Sequence, residues 1–340
     1  MGVLAVPLWI WAATIGALLL ILGTELVLGI RSGGHAVGMR EAALWTAAIV
    51  ALAVVFGLSV GWLGHPAAAG QFFTGWLTEY SLSLDNLFIF VLLIGRSAVP
   101  RALHSRILLL GVAAALLLRG IFIALGASAI SRFSWILYLF GALLIYTAIR
   151  LAVSQRQQDD KSADGLLRVI ARFVPVAERG DGARLLTRVG GRTKATPVLF
   201  LILTIAATDL VFALDSIPAI FGLTRDPYLI FTANMFALLG LRQLYFLMRG
   251  LLSRLVYLSA GLAVILGFIG AKLITEALAD SGVPVPVPHI GTGPSLAVIG
   301  GVLVVVTVTS LLAPPRRDAS ENPPPDPPCA VSDQRLAAGG

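Results

Sequence analysis

Charge is what this 340-residue sequence has least of: 13% of its residues are Asp, Glu, Lys or Arg, and 57% are hydrophobic. Soluble domains carry about 25% charged residues, so an ordinary water-facing surface is excluded. Cysteine is nearly absent, with Cys329 alone near the C-terminal end; that excludes a disulfide framework and a thiolate metal site. Histidine is scarce, and His35, His65, His104 and His289 all fall in or near connections between apolar runs. Zinc and copper, which favour thiolate and imidazole, are therefore disfavoured. There is no P-loop, which argues against ATP-driven transport by this chain alone, and no His-Glu-x-x-His motif of a zinc hydrolase. An enzyme is not expected, and no cofactor is called for.

What is present is a series of long apolar runs. A helix of about 20 apolar residues crosses a hydrocarbon core of about 30 Å. Nine such runs occur, at 7–30, 41–62, 71–95, 105–126, 133–152, 197–221, 228–249, 255–278 and 292–313. A membrane barrel would instead show short alternating segments. The expected fold is all-α, a polytopic transmembrane bundle of about nine helices in a lipid bilayer. The first run has no basic start and extends past the ~7–15 apolar residues of a signal peptide, so a retained helix is expected.

The formal net charge of +7 resembles a nucleic-acid signature until its placement is considered. With the N-terminus outside, 20 of the 25 Lys and Arg residues fall on the cytoplasmic side, ten of them between Arg150 and Lys194. Only Arg132 and Arg225 fall outside. This is the positive-inside pattern, and it predicts a multi-pass protein of the cell membrane with its C-terminus inside. No nucleic-acid partner is expected.

The chain divides into two N-terminal helices (1–70), a three-helix unit (71–152), a cytoplasmic connection (153–196) and a second three-helix unit (197–278). An external loop with the last helix (279–313) and a Pro-rich tail expected to be disordered (314–340) follow. In the connection, Leu166, Leu167, Ile170, Phe173 and Val174 recur at helical spacing and predict a short amphipathic helix. The two units share a pattern. Glu79-Tyr-Ser-Leu-Ser-Leu-Asp85-Asn86 in the third run matches Asp209-Leu-Val-Phe-Ala-Leu-Asp215-Ser216 in the sixth. Each is followed one run later by an intramembrane arginine near a glycine, Arg119 and Arg242. Three crossings separate the units, so they enter the membrane from opposite sides as a 3+3 inverted repeat. Transporters built this way hold substrate near the midplane, between the repeats.

Five acids lie inside the runs, Glu25, Glu79, Asp85, Asp209 and Asp215, against three bases, Arg119, Arg242 and Lys272. A carboxylate at the bilayer centre costs at least about 2.5–3.5 kcal/mol. Any one acid could be a structural ion pair; the set of five leaves two surplus negative charges. One divalent cation would neutralise them, unless desolvation protonates some of the acids. On a helix wheel, positions seven apart nearly coincide and positions six apart differ by about 120°. Glu79, Ser83 and Asn86 therefore share a face, as do Asp209, Ala213 and Ser216, while Asp85 and Asp215 point elsewhere in a regular helix. A break would turn both acids of a pair inward; Pro218 is the candidate in the sixth run, with a plain kink as the simpler reading. Carboxylate, amide and hydroxyl oxygens suit Mg²⁺, Ca²⁺ or Mn²⁺, and clustered carboxylates repel an oxyanion.

At these residues the chain resembles the TerC family of membrane proteins. Glu79–Phe90 is similar to the family's first signature, Thr208–Phe221 to its second and Asn234–Phe246 to its third, and the resemblance runs from about 71 to 278. The family takes its name from tellurium-resistance gene clusters, and its members look like manganese exporters related to the LysE superfamily. The resemblance implies export of Mn²⁺, or a similar hard divalent cation, in exchange for protons. It implies Glu79, Asp85, Asp209 and Asp215 as ion-binding acids, with Asn86 and Ser216 adding neutral oxygens. Arg119 and Arg242 would be counter-charges, and Glu25, Ser83 and Asn234 accessory groups. The alternative left open is a non-transporting membrane scaffold or assembly factor.

Overall fold

A computed structural model describes residues 6–31, 39–97, 99–133, 135–153, 184–189, 192–241, 244–245, 257–280 and 290–312. Among the described residues are nine helices and one hairpin. The helices are α1 (Leu8–Arg31), α2 (Met39–Trp62), α3 (Pro66–Arg96), α4 (Arg101–Arg132), α5 (Ile136–Val153), α6 (Pro197–Phe221), α7 (Pro227–Leu239), α8 (Leu258–Asp280) and α9 (Thr292–Leu312). The strands are β1 (Leu186–Val189) and β2 (Arg192–Ala195), paired antiparallel with Leu186 opposite Ala195. Each expected run contains one of these nine helices. Seven helices are long and apolar enough to cross a membrane; α1 and α7 contribute shorter apolar stretches, Leu8–Thr24 and Pro227–Leu239. The bundle turns Leu20, Val55, Leu58, Leu117 and Val304 outward, as lipid-facing helices require. The protein is a polytopic helical membrane protein.

Two expectations need adjustment. The run 228–249 is divided: α7 ends at Leu239 with Gly240 as its C-cap, and Leu241, Leu244 and Tyr245 beyond it are again helical. In the connection, residues 184–189 and 192–196 form the hairpin and the entry to α6, an element that apolar periodicity did not signal; the amphipathic helix expected at 166–174 lies outside the described residues. Helix starts follow ordinary capping. Pro66, Pro197 and Pro227 open α3, α6 and α7, where a missing N–H costs nothing. Asp226 Oδ1 accepts from the Tyr228 and Leu229 N–H groups at 2.9 and 3.3 Å, satisfying donors that would otherwise be orphaned near lipid. Helix α6 runs unbroken through Pro218 to Phe221. The possible break there is absent: the proline lies in the last turn, where little helix remains to interrupt.

The repeat is visible in the packing. Helix α3 lies against α7 as α6 lies against α4, and α5 against α8 is the most extensive helix pair. At that pair a Cβ on Gly141 would stand 2.6 Å from Ile274 Cγ1 and 3.0 Å from the Gly270 carbonyl oxygen. Reciprocally, a Cβ on Gly270 would stand 2.9 Å from Ile145 Cγ1 and 3.0 Å from the Gly141 carbonyl oxygen. The pairs 141/145 and 270/274 thus exchange roles, as a two-fold relation between the units demands. Outside the repeat, α1 is tied to α7 by a 2.8 Å hydrogen bond between Thr14 and Tyr228 hydroxyls and by Trp11 stacking edge-on to Tyr228 at 5.0 Å.

The glycine crossing has no room for a methyl group. Gly141→Ala or Gly270→Ala should cost about 1–3 kcal/mol through overpacking, lowering the thermal midpoint of the detergent-purified protein. Gly300→Ala in α9, whose added Cβ would meet nothing within 4 Å, should leave it unchanged.

Candidate functional site

Near the middle of the bundle, four helices of the repeat bring polar side chains to one place. Helix α3 supplies Glu79, with Ser83 one turn and Asn86 two turns further on; all three are buried. Helix α6 supplies Asp209 and Ser216, α4 supplies Arg119 and α7 supplies Asn234, also buried. The seven-residue spacings put each trio or pair on one helical face, and that face is the one turned into the bundle.

Arg119 organises the cluster. Its Nε donates to Asp209 Oδ2 at 2.8 Å and its Nη2 to Asp209 Oδ1 at 3.0 Å, the fork geometry in which guanidinium and carboxylate match best. Nη1 donates to Glu79 Oε2 at 2.8 Å and makes a longer 3.4 Å contact with Asn234 Oδ1. Both acids and the arginine are at most 1% exposed. One side chain therefore ties α4 to α3, α6 and α7. In hydrocarbon such charges are tolerable only when paired.

The pairing is incomplete. Two carboxylates face one guanidinium, leaving a formal charge of −1 on the three groups. Glu79 Oε1, Ser83 Oγ, Ser216 Oγ and Asn234 Nδ2 are buried without a hydrogen-bond partner. Ser216 lies close enough to act on the Glu79 carboxylate without forming a well-shaped bond. Buried polar atoms are nearly always satisfied; the three oxygens of this group could take a proton, a water or a hard cation, whereas the Asn234 amide nitrogen can only donate. The Trp76 indole N–H, one turn before Glu79, is likewise buried and unpartnered.

The structure does not bring all expected residues together. Asp215 faces away from the cluster; its Oδ1 accepts from the Thr147 hydroxyl of α5 at 2.9 Å. With α6 unbroken, the 120° between positions six apart persists, so the two acids of this pair serve different interfaces. The side chains of Asp85 and Glu25, and all of Arg242, lie outside the described residues. Among the described residues no three His, Cys, Asp or Glu side chains come together. Thr147 is the partner that sequence reading missed, because one threonine in an apolar run carries no spacing signal.

The stability of the cluster is open to measurement. Arg119→Leu strands two buried carboxylates and should cost about 3–5 kcal/mol, seen as a lower thermal midpoint and reduced membrane abundance. Removing the acids together with the arginine (Glu79→Gln, Asp209→Asn, Arg119→Leu) should recover most of that loss. Arg119→Lys should not rescue, because an ammonium lacks the fork that holds Asp209.

With this geometry in hand, comparison with known proteins is informative. The sequence model of the integral membrane protein TerC family matches residues 64–318. An uncharacterised membrane protein of Mycobacterium tuberculosis is 42% identical over 301 residues, covering 85% of this chain and 76% of its own. One of Myxococcus xanthus is 40% identical over 294 residues, covering 86% and 89%. Alx of Escherichia coli K12, provisionally described as a membrane-bound redox modulator, is 36% identical over 312 residues, covering 89% and 94%. No solved structure matches.

Proposed function

The chain belongs to the integral membrane protein TerC family, and from that premise we propose that it exports a hard divalent cation, Mn²⁺, through the Arg119 cluster in exchange for protons. The supporting observation is a surplus carboxylate with unpartnered oxygens, buried between two inverted units. Asp209 has both oxygens held by Arg119. Glu79 has one oxygen held and one open, which makes it the acid able to accept cargo without dismantling the Asp209 fork. Ser83 and Ser216 hydroxyls and the Asn86 amide oxygen offer further hard ligands of the kind Mn²⁺ and Mg²⁺ prefer.

In this mechanism Arg119 and the cation compete for Glu79. Cation binding draws Glu79 away from the Arg119 Nη1 bond, while Asp209 keeps the guanidinium neutralised. Loss of the cation restores the Arg119–Glu79 bond or lets Glu79 take a proton, so the buried charge never stands far from balance. Inverted units supply alternate openings on the two sides. The redox description of the Escherichia coli relative is not carried over, since this chain's single cysteine, Cys329, lies beyond residues 64–318.

One observation favours a second reading. Arg119 already satisfies three of the four carboxylate oxygens of Glu79 and Asp209, as a purely structural lock in a non-transporting scaffold would. The two readings separate in an efflux-deficient bacterium challenged with Mn²⁺. Wild type should lower cellular manganese, and Glu79→Gln or Asp85→Asn, at matched membrane abundance, should not. No effect of wild type favours the scaffold; full export by Glu79→Gln removes the site from the route. In proteoliposomes an imposed pH gradient should drive Mn²⁺ accumulation, and a protonophore should abolish it. Accumulation that ignores the protonophore rejects proton coupling.

A further inference from the structure

The hairpin ahead of α6 takes no part in the cluster, yet its charge is unusual. In the connection from 154 to 183, five basic residues (Arg156, Lys161, Arg168, Arg172, Arg179) are balanced by five acids (Asp159, Asp160, Asp164, Glu178, Asp181). From 184 to 196 there are four basic residues, Arg184, Arg188, Arg192 and Lys194, and no acid. All the net positive charge from 154 to 196 is therefore concentrated in the stretch whose described residues form a β-hairpin. General positive-inside bias requires basic residues somewhere in the connection; it does not require them to be sorted this way.

The hairpin is also held at a defined height. Thr196 is fully buried, and its N–H and hydroxyl bond back to the Leu185 carbonyl, at 3.0 Å each, while the hydroxyl also reaches the Arg184 carbonyl at 2.7 Å. The same Thr196 oxygen accepts from the Leu199 N–H at 3.3 Å, capping α6. Ala195 is buried at the base, and Pro197 opens a span apolar enough to cross the membrane. The hairpin base thus stands where the apolar span ends, at headgroup level. Leu185 and Leu186 beside it are 41% and 56% exposed, and the register sets Lys194 opposite Thr187 and Arg192 opposite Val189. A basic stretch with exposed leucines at the end of a membrane span matches an interfacial element that inserts apolar groups and pairs with phosphates.

We infer that residues 184–189 and 192–196 form a docking site for anionic phospholipid headgroups, fastened through Thr196 to the helix that carries Asp209. The inference is independent of what the protein transports. It is tested on the full-length protein in nanodiscs of phosphatidylcholine alone and of phosphatidylcholine with about one third phosphatidylglycerol, by amide hydrogen exchange over 186–195. Exchange should slow by at least about tenfold in the anionic discs and return toward the neutral value at about 0.5 M salt, where screening is short-ranged. Neutralising Arg184, Arg188, Arg192 and Lys194 to Gln should remove the difference, and replacing the three arginines by Lys should keep most of it. Equal exchange in both discs overturns the inference, as does protection that survives high salt. Should the Gln variant fail to fold, the wild-type lipid and salt comparison decides alone.

Discussion

A guanidinium with two carboxylates in the middle of a membrane bundle constrains everything around it. Arg119 on α4 cannot lose sight of Asp209 on α6 or Glu79 on α3 without leaving a charge unpaired in hydrocarbon, so three helices from both units are fixed relative to one another by one side chain. Apolar packing between lipid-facing helices is not selective in this way, because lipid tails solvate a leucine about as well as another leucine does. The ion-paired cluster therefore supplies register, and the close glycine contacts supply the tight fit. Gly111 is an instance: a Cβ there would stand 2.7 Å from Ile205, one turn before Asp209 on the same helix that Arg119 grips.

The same interaction explains why the cluster is chemically unfinished. A guanidinium has five N–H donors, and four are engaged here, two of them on Asp209. Asp209 is thereby saturated, and Glu79 is left half-satisfied beside two serines with unpartnered hydroxyls. A site intended only to hold helices together could have used one acid. The second acid introduces a charge that the guanidinium alone does not neutralise, and the division between a locked and a half-free carboxylate follows from the fork geometry of arginine.

Much of this was legible before any coordinates. Runs of about 20 apolar residues located each of the helices α1 to α9, because hydrocarbon thickness dictates their length. The seven-residue spacing of Glu79 with Asn86 and of Asp209 with Ser216 identified the inward faces, because helical geometry is regular even where the environment is not. The sequence pattern could not say that Arg119 would grip both acids, since three bases were available to five acids and only tertiary packing chooses among them. Nor could it show Thr147 under Asp215, or a hairpin in the connection. A short two-stranded element with Arg and Lys at alternate positions has no apolar face to reveal its period, and Arg242, the repeat mate of Arg119, lies outside the described residues.

The repeat is also less symmetric than its motif. Gly141 and Gly270, which exchange roles at the α5–α8 crossing, are 129 positions apart, and the same offset carries Thr147 to position 276. That position is Glu276, 3.8 Å from both Arg225 and Lys272. A neutral hydroxyl on α5 thus corresponds to an acid with two cationic neighbours on α8, so the two units differ in charge at corresponding positions even though their motifs agree. For an inverted repeat, identical units would make the two open states mirror one another in free energy. Substitutions of charge at corresponding positions break that equality without disturbing the shared helix packing, because they lie beside the glycine crossing and leave it intact. If the protein transports as proposed, directional bias would reside in the α5–α6 and α8 contacts, with the Arg119 cluster common to both states.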